Sequence, residues 1–192
     1  DVVANTEVKS LKTILGLIQG KVYTDLSELR YGKVLFMTDQ DDDGFHIRGL
    51  LLNFFWHFWP SLFSLGVISV NEVDHHFLSS FSTMVVKADW GAGAKKQTKI
   101  FYSNPEYKQW YEQSGHKIKG LATKYYKGLG SHRPGDEHIY LNDQKILNYV
   151  IDGEEDKYMA LGFMGTDREQ TDMRKEWITS SIQKPDEVSL IQ

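Results

Sequence analysis

Val34-Leu35-Phe36-Met37-Thr38-Asp39-Gln40-Asp41-Asp42-Asp43-Gly44-Phe45-His46-Ile47-Arg48 is the stretch that decides how this chain folds. Its first four residues are apolar and follow Tyr31-Gly32, which predicts a short strand buried on both faces, as in a parallel sheet. The run breaks at Thr38-Asp39, and Asp39, Asp41, Asp42 and Asp43 crowd four carboxylates into five positions. Near Phe45 the pattern predicts a helix that reaches about Pro60 or beyond. The acidic loop thus falls at the carboxyl end of a parallel strand, where open α/β sheets place their ligands.

Carboxylates this close disfavour one another's ionised forms unless a cation compensates them. Only oxygen donors are present, which points to the hard ions magnesium, manganese or calcium and away from zinc or iron. Asp39, at the strand end, is the expected principal metal ligand and Asp41 the second. Asp43 binds through water or orients the others, while Asp42 faces solvent. Two known patterns compete. Asp39, Asp41, Asp43 and Gly44 match the start of an EF-hand calcium loop, but its last position falls on Leu50 instead of Glu, and the incoming element is a strand. The Asp-x-Asp of haloacid-dehalogenase-type phosphatases continues with Thr or Val where this chain has Asp43. A solvated acidic turn is the plain alternative.

Further out, 192 residues with 41% hydrophobic and 13% aromatic content exclude a disordered chain and suffice for one large core, with or without an appendage. The absence of cysteine excludes disulfides and thiolate metal sites. Leu50 to Ile68 carries no formal charge and is long enough for a membrane span. Asn53, His57, Pro60, Ser61 and Ser64 interrupt it, so a buried core helix is expected and no membrane partner. No signal peptide is visible at the start, where Asp1 and Glu7 stand in place of basic residues. The net charge of −4 hides three blocks: −4 over residues 1–83, +7 over 84–133 and −7 over 134–192. The middle block is the candidate phosphate-facing surface.

Elsewhere, Val8, Leu11, Ile14, Leu15 and Ile18 predict an amphipathic helix capped by Asn5 or Thr6. Strands are expected at Met84–Ala88 and Lys99–Tyr102 around a Gly-rich basic loop, and at Ala122–Tyr126. Ser103-Asn104-Pro105-Glu106 opens a helix toward Ser114. Helices are expected near Asn142–Ile151, Glu154–Leu161 and Thr166–Ser180, with Thr166 and Glu169 as a capping box for the last. The aromatic string Phe54, Phe55, Trp56, Phe58 and Trp59 reads as core.

Met37-Thr38-Asp39-Gln40-Asp41-Asp42-Asp43-Gly44-Phe45-His46-Ile47-Arg48-Gly49-Leu50-Leu51 resembles the acidic motif of the TOPRIM domain in eukaryotic-type DNA topoisomerase II, a type IIA enzyme. Lys124-Tyr125-Tyr126-Lys127-Gly128-Leu129-Gly130-Ser131 is similar to that family's KYYKGLGT segment, and Arg174-Lys175-Glu176-Trp177 to its RKEW. Leu78-Ser79-Ser80-Phe81, followed by Val85-Val86-Lys87, resembles its strand leading to the basic loop, so the likeness runs through nearly the whole chain. The chain departs from the pattern at Phe45, in the length of Gly66 to His76, and at Ser131-His132-Arg133-Pro134-Gly135, the marks of a divergent member.

The resemblance implies an α/β fold: a TOPRIM-type, Rossmann-like parallel sheet flanked by helices, with a helical C-terminal extension. Residues 1–133 are expected to form a TOPRIM domain lacking its N-terminal strand and Glu motif. Residues 134–192 are expected to form its C-terminal helical part and a linker toward the winged-helix domain. The implied function is the metal-binding part of a DNA cleavage and religation core. There Mg2+, or Mn2+ or Ca2+ in its place, assists transesterification of double-stranded DNA. ATP is implied through a domain outside this chain, as are the remaining domains of the same topoisomerase and a homodimer. No residue here is expected to be catalytic, because the nucleophilic Tyr and the general acid/base Glu are absent from the segment. Lys127, His46, Arg48 and Arg168 are the expected DNA contacts. The resemblance implies a nuclear protein if cellular and eukaryotic, or one of host cytoplasm or virion if from a large DNA virus. A non-catalytic module stabilised by a divalent metal is the alternative.

Overall fold

The computed structural model describes residues 5–65, 68–70, 73–136, 138–139, 145–151, 153–163 and 168–183. The chain divides into two compact units, one of Asp1–Lys33, Asn53–Phe77 and Tyr149–Gln192, the other of Val34–Leu52 and Leu78–Asn148.

In the first unit, helix α1 (Thr6–Leu15) is capped by Asn5, whose side chain accepts the Val8 N–H, and ends at Gly16 in the left-handed conformation. Leu15, Leu17, Tyr23, Phe55, Trp59, Leu62, Phe63, Leu65 and Phe77 are buried. Buried polar ends find backbone partners: Trp59 Nε1 donates to the Ile18 carbonyl at 2.8 Å, and the Tyr23 hydroxyl accepts from the Ile18 N–H at 2.8 Å. The aromatic string is therefore core, with Phe55 and Trp59 fully enclosed. Strands β2 (Ile68–Val70) and β3 (Val73–His75) pair antiparallel. Two C-terminal helices, Glu155–Phe163 and Arg168–Gln183, belong to this unit.

In the second unit, β1 (Val34–Phe36) pairs in parallel with β4 (Leu78–Phe81), and β4 pairs antiparallel with β8 (Ile146–Asn148). A separate antiparallel sheet has the order β6-β5-β7, from Val86–Trp90 (β5), Gln97–Phe101 (β6) and Ala122–Tyr125 (β7). Helix α3 (Asn104–Gln113) begins at Ser103 as the sequence predicts, and Tyr107 and Trp110 pack with Val85, Val86, Ala88 and Phe101. The two helices of the first unit are α4 (Glu155–Phe163) and α5 (Arg168–Gln183), and the Arg174 Nε donates to the Leu161 carbonyl at 2.7 Å.

Helix α2 (Asp42–Phe58) starts three residues before the expected Phe45, because Asp41 supplies a cap. A 3-10 turn, Pro60–Ser64, continues from its end. Among the described residues, no helix is long and apolar enough to cross a membrane.

The α/β class and the C-terminal helices stand as expected, with three corrections of detail. Strand β1 is not buried on both faces: Phe36 is enclosed, but Leu35 and Met37 are exposed, since β1, at the edge of its sheet among the described residues, is covered on one face only. Among the described residues, parallel pairing is confined to β1 and β4, and the sheets are mixed and small instead of one parallel sheet. The described part of the helix expected over Asn142–Ile151 contains β8, where Ser79 Oγ donates to Asn148 Oδ1 at 2.9 Å and the Ser82 N–H to the Lys145 carbonyl. Pairing to a buried strand overrides the local helical pattern there. Thr166, expected to cap the last helix, lies outside the described residues.

Candidate functional site

The acidic loop leaves β1 and turns directly into α2. The Asp41 side chain accepts the Gly44 N–H at 2.8 Å while its carbonyl accepts the Phe45 N–H at 2.9 Å, the arrangement of an N-cap. Gly44 is buried beneath Asp39: a Cβ there would overlap the Asp39 carbonyl group, whose carbon lies 2.8 Å from that position. The loop closes on itself only because residue 44 has no side chain.

From the other side, the strand β7 runs on into Lys127-Gly128-Leu129-Gly130-Ser131, and Leu129 donates its N–H to Asp39 Oδ1 at 2.8 Å. Gly128 sits at φ 149°, a conformation that L side chains rarely adopt. A Cβ on it would fall 2.7 Å from the Asp39 Cγ. Backbone and carboxylate approach closely here, so the first glycine of the Gly-x-Gly serves contact with Asp39, while Gly130 faces open space. The turn holds its own shape through Ser131, whose Oγ donates to the Gly128 carbonyl at 2.7 Å and accepts the Lys127 N–H at 3.1 Å.

Arg48 is only 7% exposed. Its Nη2 donates to Thr38 Oγ1 at 3.1 Å and Gln40 Oε1 at 2.9 Å, the two neighbours of Asp39, and its guanidinium lies 5.2 Å over the Phe45 ring. Its Nε is buried with no hydrogen-bond partner. The geometry gives Arg48 a hold on two side chains of the loop, those flanking Asp39. Asp42, Asp43, His46 and Lys127 have exposed side chains in this unit, and Arg168 is exposed at the start of α5 in the other unit.

Among the described residues, no three carboxylate or imidazole side chains gather to hold a metal ion. One oxygen each of Asp39 and Asp41 is engaged by a backbone N–H, which leaves the second oxygen of each as a donor. That set fits magnesium, which keeps several waters and takes one or two carboxylates together with substrate phosphate. Asp39 and Asp41 are the residues that would hold it, with Asp43 exposed one helical residue further on.

Asp136 is the residue that sequence reading missed. It is 5% exposed and accepts from three donors, Lys87 Nζ at 3.0 Å, the Tyr126 hydroxyl at 3.0 Å and the Arg133 N–H at 2.9 Å, with Lys124 Nζ in a looser ion pair at 3.7 Å. Burial pushes its pKa up, but the Arg133 N–H, the Lys87 ammonium and the Tyr126 hydroxyl outweigh this and hold the carboxyl well below its usual range. The available signal was an Asp-Glu pair, Asp136-Glu137, just beyond the basic block, which does not tell which acid turns inward. Two lysines of that block, Lys87 and Lys124, are thereby paired inside the unit, whereas Lys95, Lys96 and Lys99 are exposed along the β5–β6 hairpin.

Residues 81–189 match the family described as the C-terminal associated domain of TOPRIM. The chain is 39% identical over 187 residues to probable DNA topoisomerase 2 of Dictyostelium discoideum. It is 38% identical over 188 residues to DNA topoisomerase 2-alpha of Homo sapiens. Each of these alignments covers 95% of this chain and 11% of the relative, so the chain spans about a tenth of their length. The crystal structure of the Plasmodium falciparum topoisomerase II DNA-binding, cleavage and re-ligation domain superposes with a TM-score of 0.70 at 32% identity, covering 92% of this chain and 22% of that one. The chain belongs to the TOPRIM C-terminal associated domain family, in the form homologous to eukaryotic, type IIA DNA topoisomerase 2.

Proposed function

We propose that this chain is the metal-holding part of the DNA cleavage and religation core of a type IIA topoisomerase. The observation that carries the reading is the Asp39 carboxylate, fixed between the start of α2 and the Gly128-Leu129 backbone in a chain homologous to topoisomerase 2 throughout. Bound at Asp39 and Asp41, magnesium supplies charge stabilisation to the oxygens of a phosphodiester during transesterification. The chain's own residues prepare that place. Leu129 orients the Asp39 carboxylate, Gly44 lets the loop close, and Arg48 clamps Thr38 and Gln40 on either side of it.

Lys127 and His46, both exposed, serve as phosphate contacts, and the exposed lysines of the β5–β6 hairpin add charge that strengthens backbone binding in a salt-dependent way. Arg48 acts on DNA through the loop it holds, and Arg168 as a charge on α5. The attacking tyrosine, the acid/base glutamate, the ATP-hydrolysing domain and the dimer contacts come from other parts of the parent polypeptide. The parent's substrate is double-stranded DNA.

The test is Asp39→Asn in the intact parent, with plasmid cleavage followed against magnesium concentration. The expected result is a loss of about 100-fold or more, on the order of 2.7 kcal/mol of transition-state stabilisation. Undiminished cleavage rejects the reading. Metal uptake without any cleavage or linking in the complete parent favours the alternative, a non-catalytic module stabilised by a divalent ion.

A further inference from the structure

Leu129 cannot hold Asp39 unless its own backbone is fixed, and the short 3-10 turn that carries it, Leu129–Ser131, is too small to be rigid by itself. Two layers of bonds lie behind the turn. In the first, Lys124 Nζ donates to the Ser131 carbonyl at 3.0 Å, and Ser131 ties Lys127 to Gly128. In the second, Asp136 draws together Lys87 on β5, Lys124 on β7, Tyr126 at the end of β7 and the Arg133 backbone on the far side of the turn. Tyr126 also stacks on His132, with ring centroids 4.7 Å apart. Both ends of the 127–135 segment are thus fastened to one buried carboxylate.

We propose that Asp136 is a positioning residue for the metal site: by clamping the two ends of the Gly128-Leu129 turn to the β5–β7 sheet, it sets where the Leu129 N–H meets Asp39. This rests on the reading of Asp39 as a metal ligand. The same carboxylate occupies Lys87 and Lys124, so it withholds two cations from the phosphate-facing surface. Those two effects have opposite signs on removal of the charge. The metal site loosens, whereas the surface gains positive charge and its hold on DNA does not weaken. A residue with a merely structural role lowers both together.

The experiment uses the intact parent and Asp136→Asn, Tyr126→Phe and Asp39→Asn. Asparagine keeps one acceptor oxygen but removes the charge and puts an NH2 donor in place of the other, so either Lys87 or the Arg133 N–H and Tyr126 hydroxyl lose their acceptor. Tyr126→Phe removes one hydrogen bond while keeping the stacked ring. Free Mn2+ is measured by electron paramagnetic resonance, plasmid cleavage is followed against magnesium, and DNA affinity is measured in chelator. In Asp136→Asn, Mn2+ affinity is expected to fall by about tenfold, in the range for groups that orient metal ligands, with the magnesium midpoint for cleavage rising in step. Tyr126→Phe shifts both in the same direction by a smaller factor, and DNA affinity in chelator holds or rises in Asp136→Asn. Mn2+ affinity within twofold of the parent in folded Tyr126→Phe and Asp136→Asn, while Asp39→Asn abolishes it, overturns the proposal and spares the metal reading. Equal losses of metal and DNA affinity in both variants also overturn it. Unchanged Mn2+ affinity in Asp39→Asn overturns the metal reading and this proposal with it.

Discussion

Gly44 and Gly128 bracket Asp39, one beneath its carbonyl and the other against its carboxylate. In most helices a glycine exchanged for alanine adds stability, by roughly 1 kcal/mol. Here Gly44→Ala is expected to destabilise by about 1–3 kcal/mol, because the new methyl meets backbone that cannot move aside without opening the loop. Urea denaturation of the variant against the parent protein measures it. At this scale the place of the acidic loop was legible, since four acids in five positions break an apolar run and the structure has them between β1 and α2. Their restraint was not. Leu129 reaches Asp39 from 90 residues away, through a backbone N–H that any residue type could provide. The cap formed by Asp41 was overlooked for a related reason: read as a metal ligand, it left the helix start to be placed too late.

Elements were legible where one local signal was sufficient. Ser103 followed by Asn-Pro-Glu marks the start of α3, and the structure has Ser103 Oγ accepting the Glu106 N–H at 3.3 Å while Glu106 accepts the Tyr102 N–H at 3.1 Å. Ser103→Ala is expected to cost about 1 kcal/mol. It speeds amide hydrogen exchange in Asn104–Gln113 by roughly fivefold when opening is local, as mass spectrometry of the intact protein reads it. Strand β8 was illegible because Ile146-Leu147-Asn148 suits either state, and only the second hydrogen-bonding edge of the all-buried β4, whose first edge pairs with β1, chooses between them. The same holds for pairing direction. A run such as Val34–Phe36 predicts a strand, but the sequence around it reveals neither that Leu35 lies exposed on its outer face nor that most other strands of the unit join antiparallel.

At the scale of the molecule, the blocks of charge were readable but their use was not, since Asp136 spends two lysines of the +7 block on internal pairing. Because the folded pKa of Asp136 lies below its unfolded value of about 3.9, its contribution to stability is complete at neutral pH. That contribution is lost as pH falls below about 4 and through the folded value. The stability difference between the parent and Asp136→Asn, taken from denaturant melts, is therefore expected to stay level from about pH 7 to pH 5 and to shrink in stronger acid.

Arg48 carries a last consequence. With Thr38 and Gln40 tethered to its buried guanidinium, Asp41 tied to Gly44 and Asp39 to Leu129, the acidic turn is braced by the protein alone. Under the proposed function, an arriving cation would meet a turn whose Asp39 and Asp41 are already tethered, and little chain would have to order around it. Exchange of one ion for another is then governed by how quickly each sheds its water shell, which makes magnesium, slow to dehydrate, the slower of the occupants to come and go.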